Sequence, residues 1–206
     1  MDPNRISLRP FKLSDADDFF SWGKDERVTR YLRWNPIPSR EEALKHIKEV
    51  AIPHPCRRSI CLDDRSIGDV SIRPESGSER HLACIGYALG SEYWNQGIMT
   101  VAIKMAISSV FKELDYVVRV EALVDEENKG SQRVLKKVGF QKEGFLRKTK
   151  STNDDDDDPT SSPTRRRRRS SSGDRISDKQ RKFLGLTRYF ELVLALGDVF
   201  ILLLAT

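Results

Sequence analysis

A chain of 206 residues has room for one domain with a buried core and a tail. Its 36 Lys and Arg against 31 Asp and Glu leave only +5, much of it in one block, so the charge makes no case for a DNA-binding face. Cys56, Cys61 and Cys84 are odd in number and scattered, and His46, His54 and His81 do not cluster, which argues against a disulfide scaffold or a metal centre and for a reduced intracellular compartment.

Met1 to Arg5 carries no apolar stretch of the kind that directs secretion. Ile6 to Phe11 alternates as a first strand, and Ser14 is positioned to cap a helix with Asp17 in its first turn and Phe19, Phe20 and Trp22 as apolar groups. Ser39-Arg40-Glu41-Glu42 reads as a capping box opening a second helix through Ala43, Leu44, Ile47 and Val50. Residues 57 to 62 and 66 to 72 flank Asp63-Asp64-Arg65 as a hairpin, and 81 to 89 form the next strand after a turn at 74 to 78. The order of signals is β-α-α-β-β-β followed by α-β-α-β, an α+β layered arrangement whose later part has crossover connections.

Two stretches carry chemistry. The first, Tyr93-Trp94-Asn95-Gln96-Gly97-Ile98-Met99-Thr100, follows the strand ending Tyr87-Ala88-Leu89 and opens an apolar helix through Ala102, Met105, Ala106, Val110 and Phe111. A glycine turn feeding a helix N-terminus offers unpaired backbone N–H groups and the positive end of the helix dipole, which suits a phosphate. A glycine used only for turn geometry explains the same residues. The second follows an alternating strand at 118 to 124 and runs Asn128-x-x-Ser131-x-x-Val134-Leu135, ending at Val138-Gly139-Phe140. It reads as a short helix with a glycine stop.

In this order the two motifs resemble the GNAT acyltransferase superfamily, over Ile6 to Lys148. Trp94 before the turn and the Asn-x-x-Ser…Gly-Phe pattern are similar to the RimJ/RimL-like branch of ribosomal-protein and other protein N-terminal acetyltransferases, in its small plant-type form. The resemblance implies a mixed, mostly antiparallel sheet that splays between its fourth and fifth strands. Acetyl-CoA would be the cosubstrate, with no metal, and the acetyl group would pass directly to an amine on a small molecule or a protein N-terminus. No membrane partner is expected, and the oligomeric state is open.

The resemblance also distributes roles. Gln96, Gly97, Ile98, Met99 and Thr100 would cradle the diphosphate, the strand edge at Tyr87, Ala88 and Leu89 would pair with the pantetheine amides, and Asn128 would hold the pantetheine arm. Asn128 as a plain helix cap competes with that role. Met99 stands where the family has Gly or Ala and threatens to crowd a phosphate. Leu135 stands where many members carry the tyrosine that protonates the leaving thiolate, leaving Ser131 as the nearest donor, or as a small packing residue. Glu92 is the candidate base, with Glu121 on the neighbouring strand as its rival and plain surface exposure as the dull reading of both. Phe11, Trp22, Tyr31 and Trp34 line an acceptor pocket or fill the core. A catalytically silent acyl-CoA-binding or interaction module is the competing reading of the whole.

After a domain of residues 1 to 150, residues 151 to 182 carry an aspartate block, Ser/Pro and the arginine block Arg165 to Arg169, which reads as a disordered linker. The arginines suit a spacer, an RNA-binding patch or a nuclear address in an otherwise cytoplasmic protein. Residues 183 to 206 are apolar and allow a last strand, a membrane anchor opposed by Glu191 and Asp198, or an aberrant tail.

Overall fold

Alternating apolar residues and well-placed turn chemistry build the sheet. The computed structural model describes residues 2–146 and 199–205; the linker and arginine-block readings fall outside them. Strands β1 (Ile6–Arg9), β2 (Arg57–Leu62), β3 (Arg65–Pro74) and β4 (Leu82–Leu89) form an antiparallel run. The β2–β3 hairpin turns on Asp63 and Asp64, both at positive φ (51° and 66°), which is the backbone a two-residue turn needs to match strand twist. β5 (Arg119–Asp125) is parallel to β4, and β7 (Val199–Ala205) lies between β5 and β6 (Gln141–Leu146), antiparallel to both. The strand order is β1-β2-β3-β4-β5-β7-β6, the mixed sheet that the resemblance implies.

Helices cover both faces. α4 (Ile98–Glu113) buries Ile98, Met99, Ala102, Ile103, Ala106, Ile107 and Val110, a helical spacing that lays one stripe on β1, β3 and β4. α5 (Lys129–Val138) joins that layer through Leu135, which is fully buried. On the other face, α1 (Ala16–Gly23), α3 (Arg40–His46) and the π-helical turn that continues it (Ile47–Ala51) bury Phe19, Trp22, Ala43 and Ile47 around Phe11, with short α2 (Glu26–Thr29) beside them. Ser39 caps α3 as expected, its Oγ accepting from Glu42 N–H at 3.3 Å. Ser14 does not cap the first helix. Asp15 is buried there instead, accepting from Lys12 N–H at 2.8 Å and paired with Arg9 at 2.8 Å, so the turn is fixed from β1. Among the described residues no helix is long and apolar enough to cross a membrane.

His46 gives this layer an acid sensitivity. Its ring stacks on Phe19 with centroids 5.1 Å apart, and Nε2 is buried without a hydrogen-bond partner. Burial, helped by Arg57, lowers its pKa to about 4. An unfolded chain takes up that proton near pH ~6.5, so between these values the unfolded state binds more protons. Stability should therefore fall as pH drops from about 6.5 to 4 and then level off. Urea midpoints across that range should show the fall, about 1 kcal/mol once the ring's partial exposure is allowed for, and His46→Phe should flatten it. An equal slope in both proteins would assign the sensitivity elsewhere.

Candidate functional site

The site begins where the sheet fails to close. β4 and β5 pair only at Leu82–Arg119, Ala83–Val120 and Cys84–Glu121. Beyond that vertex β4 stays on β3 as far as Gly68–Leu89, and β5 stays on β7 throughout, so the edges at 85–89 and 122–125 face each other without pairing. The phase of the open β4 edge follows from one bond. Gly90 N–H donates to Ile67 O at 2.9 Å, so in antiparallel alternation Ala88 exchanges its peptide bonds with Asp69. The peptide groups of Tyr87 and Leu89 then face the cleft. Ala88 borders the cleft, but its side chain packs in the α1–α3 layer, so of the edge Tyr87-Ala88-Leu89 the peptide groups of Tyr87 and Leu89 are the ones open to the cleft. Leu89 O is already engaged: Trp94 Nε1 donates to it at 2.8 Å, tying the following turn to the end of β4.

That turn delivers the helix. Asn95 (φ 59°) and Gly97 (φ 81°) both take left-handed backbone, and Gly97 occupies the cap position of α4 without a side-chain cap. The first N–H to find a helical acceptor is Val101, bonded to Gly97 O at 3.3 Å. The preceding N–H groups of the first turn are thus free of intrahelical partners and sit at the positive end of a 16-residue helix. A Cβ built on Gly97 would meet nothing within 4 Å, so open space lies before the turn. Met99 is buried in the α4-side core, which removes most of the crowding that its bulk threatened.

The opposite wall is α5. Asn128 Oδ1 accepts from Ser131 N–H at 3.0 Å, the capping role that its position suggested. Ser131 Oγ lies 2.5 Å from the Tyr87 hydroxyl. Lys129, Arg133 and Lys137 recur every fourth residue, exposed, along the face of α5 that borders the cavity. Leu135 packs in the core and is no part of the wall.

These parts enclose a cavity of about 620 Å³, closed on another side by Arg27, Val28, Tyr31, Leu32 and Arg33 from α2 and the loop after it. Ala88, Leu89, Gly97, Ile98, Met99, Thr100, Asn128 and Ser131 meet here. Gln96 and Glu92 do not. Gln96 is exposed and donates from Nε2 to Glu92 O at 2.9 Å, while Glu92 is exposed on the preceding 3₁₀ turn. Of the aromatic residues considered for the acceptor, Tyr31 reaches the cavity, whereas Phe11 and Trp22 are core. Sequence reading missed Tyr87 as a side chain, the Arg27–Arg33 segment apart from Tyr31, and the α5 cation row. The last had a visible signal in its four-residue spacing.

The wall is cationic. Against Arg27, Arg33, Lys129, Arg133 and Lys137 stand Asp125 and Glu127, and Glu127 is paired with Arg30 at 3.1 Å. Glu121 sits at the vertex, half-buried, its carboxyl pushed up by burial while Arg119 at 3.4 Å pulls it down. Among the described residues no cluster of His, Cys, Asp or Glu is gathered to hold a metal ion.

A diphosphate fits the open space before Gly97, an amide-bearing arm fits the unpaired edge of β4, and the surrounding cations suit further phosphate. Those are the parts of coenzyme A, and they define an acyl-CoA-dependent acyltransferase. The Acetyltransferase (GNAT) domain family matches residues 5–141, and the chain belongs to that family. It is 34% identical over 151 residues, 73% of this chain and 76% of the relative, to a probable N-acetyltransferase, YjcK, of Bacillus subtilis. A solved ribosomal-protein-S5-alanine acetyltransferase from Vibrio fischeri aligns with TM-score 0.56 and 26% identity over 70% of this chain and 84% of that one. Mycobacterium smegmatis RimJ, solved with a coenzyme A disulfide, aligns with TM-score 0.64 at 19% identity over 98% and 82%, a likeness of fold. These relatives are bacterial, and the plant-type expectation gains no support from them. The protein is an acetyl-CoA-dependent N-acetyltransferase.

Proposed function

We propose that the acceptor is an α-amino group, on a peptide N-terminus or a small molecule, acetylated by direct attack at the β4–β5 vertex. The observation that carries this reading is the cleft itself: two unpaired strand edges converge beside a glycine-capped helix N-terminus. The first-turn N–H groups after Gly97 hold the diphosphate, and the edge at Tyr87 and Leu89 holds the pantetheine amides. Lys129, Arg133 and Lys137 supply charge for the remaining phosphate. Asn128 keeps α5 in place through its cap and borders the arm. Bound acetyl-CoA brings the activated acetyl group; the chain positions it and moves protons.

The acceptor class follows from acid–base chemistry. Among the described residues the carboxylates on the wall are Asp125 and Glu127, the latter paired with Arg30, which gives little help in deprotonating a lysine side chain of pKa about 10.4. An α-amino group, near 8, needs far less help. Glu121 stands beside Glu92 as our candidate base: neither lines the cavity, but Glu121 sits at the vertex where the open edges begin, and burial raises its pKa above the ordinary carboxylate range. The cationic wall also disfavours polycationic amines. A ribosomal-protein acetyltransferase among the similar structures supports a protein N-terminus as one such acceptor.

Calorimetric titration with coenzyme A, followed by thiol release across an amine panel, tests the reading. Peptides and amino acids with free α-amino groups should turn over at least tenfold faster than Nα-blocked lysine or polyamines, and Glu121→Gln should lower kcat/KM about tenfold or more at neutral pH. Preference for polyamines would overturn the acceptor assignment, and binding without turnover on any amine would favour a silent binding module.

A further inference from the structure

Asp25, Arg27 and Ser91 close a ring of hydrogen bonds that joins two distant parts of the chain. Asp25 caps α2, its Oδ1 accepting from Arg27 N–H at 2.9 Å and its Oδ2 from Arg27 Nη2 at 2.8 Å. Ser91 Oγ donates to the same Oδ2 at 2.6 Å and accepts from Arg27 Nη2 at 2.8 Å. Arg27 is largely exposed, and an ion pair made by such a side chain holds little by itself. Asp25 differs: its side chain is only 19% exposed, and the bonds from Arg27 and Ser91 keep its carboxyl well below the usual carboxylate range. A hydroxyl donating to that carboxylate at 2.6 Å makes a short, charge-assisted bond, and it is the strong member of the ring.

The two ends of this bond are not held alike. Ser91 opens the 3₁₀ turn that leads into Asn95 and Gly97, and that stretch is pinned several times over. Gly90 N–H donates to Ile67 O at 2.9 Å, Tyr93 N–H to Gly90 O at 3.0 Å and Trp94 Nε1 to Leu89 O at 2.8 Å. The backbone bonds of four-residue α2 are local: Thr29 N–H to Asp25 O at 3.1 Å, Arg30 N–H to Glu26 O at 2.9 Å and Leu32 N–H to Thr29 O at 2.8 Å. They shape the turn without fixing it on the sheet. Yet this segment brings Val28, Tyr31, Leu32 and Arg33 to the cavity. We propose that Ser91 and Asp25 are positioning residues for the acceptor. Their bond seats the α2 wall against the well-anchored turn, so that Val28, Tyr31 and Leu32 grip the acceptor away from its reacting nitrogen. The role rests on the acceptor entering this cavity, as the proposed function has it.

Removing the Ser91 hydroxyl should loosen the acceptor wall and spare the donor site. In Ser91→Ala, KM for the fastest α-amino acceptor of the panel should rise about tenfold with kcat within about twofold, the mark of lost binding that ground and transition states share. The calorimetric Kd for coenzyme A should stay within about twofold of wild type, because the turn keeps its other anchors. Asp25→Asn keeps an oxygen for the cap but not the charge. It should raise KM similarly, and the double variant should add little, as expected of two partners in one bond. Ser91→Thr restores the hydroxyl and should recover most of the loss. Amide hydrogen exchange in Ser91→Ala should quicken over residues 26–33 and not over 90–101. An unchanged KM in Ser91→Ala would overturn the proposal. So would an equal fall in coenzyme A affinity, by making the bond a support of the donor turn. Wild type that binds coenzyme A but turns over no amine would sink the acceptor reading itself, and this inference with it.

Discussion

Gly97→Val should raise the Kd for coenzyme A about 100-fold, roughly 2.7 kcal/mol, while the protein remains folded. Two effects add. At φ 81° Gly97 sits in left-handed backbone, which costs an L-residue roughly 1–2 kcal/mol and a β-branched residue more. The turn relieves that strain only by changing the direction of the N–H groups it presents. If it does not relax, the valine side chain projects into the space where a Cβ meets nothing within 4 Å, the space a phosphate needs. Gly97→Ala carries the strain with less bulk and should fall between, about tenfold. Because the same vacancy means that no protein neighbour is displaced, melting temperature should drop only modestly. Calorimetric titration of both variants decides it: an unchanged Kd in folded Gly97→Val would mean that the diphosphate binds elsewhere.

Gly97 could be read from sequence because its constraint is local: a strand, a glycine and an apolar helix within about a dozen residues. The same holds for Ser39, Asn128 and the Asp63-Asp64 turn, where side chain and backbone meet within a few positions. The misreadings share the opposite property. Ser14 looked like a cap because Arg9, which fixes Asp15 from the neighbouring strand, has no local signature. Glu92 precedes the turn in sequence, but that it lies exposed on a 3₁₀ turn outside the cavity lining has no local signature. Within the edge Tyr87-Ala88-Leu89, which peptide groups face the cleft depends on a phase that only the β3 register sets. Tyr87 and Ser131 could not be paired in advance, since their meeting requires the sheet to open. The splay itself came from the resemblance; nothing in residues 82–89 or 119–125 says that pairing stops after Cys84 and Glu121.

A glycine outside both motifs lets β3 approach the last residues of β4 closely. Gly68 faces Leu89 across β3 and β4, and a Cβ there would lie 2.4 Å from Ala88 O and 3.0 Å from Leu89 Cα. Both are backbone atoms, so no rotamer change can make room. Gly68→Ala must push the strands apart at the last pair of β4, at a cost of about 3 kcal/mol, the upper end of overpacking effects. For a chain of this size that corresponds to roughly 6–12 °C in melting temperature. The displaced residue is Leu89, whose N–H faces the cleft and whose carbonyl anchors Trp94. Affinity for coenzyme A should therefore fall at least fivefold, beyond what instability alone produces below the melting transition. Ile103→Val, a cavity in the α4-side core away from that edge, separates the two effects: it should lower stability by about 1 kcal/mol and leave coenzyme A affinity unchanged. If Gly68→Ala loses stability but binds coenzyme A like wild type, the end of β4 is scaffold and not binding surface. A normal melting temperature would instead mean that β3 and β4 do not approach so closely.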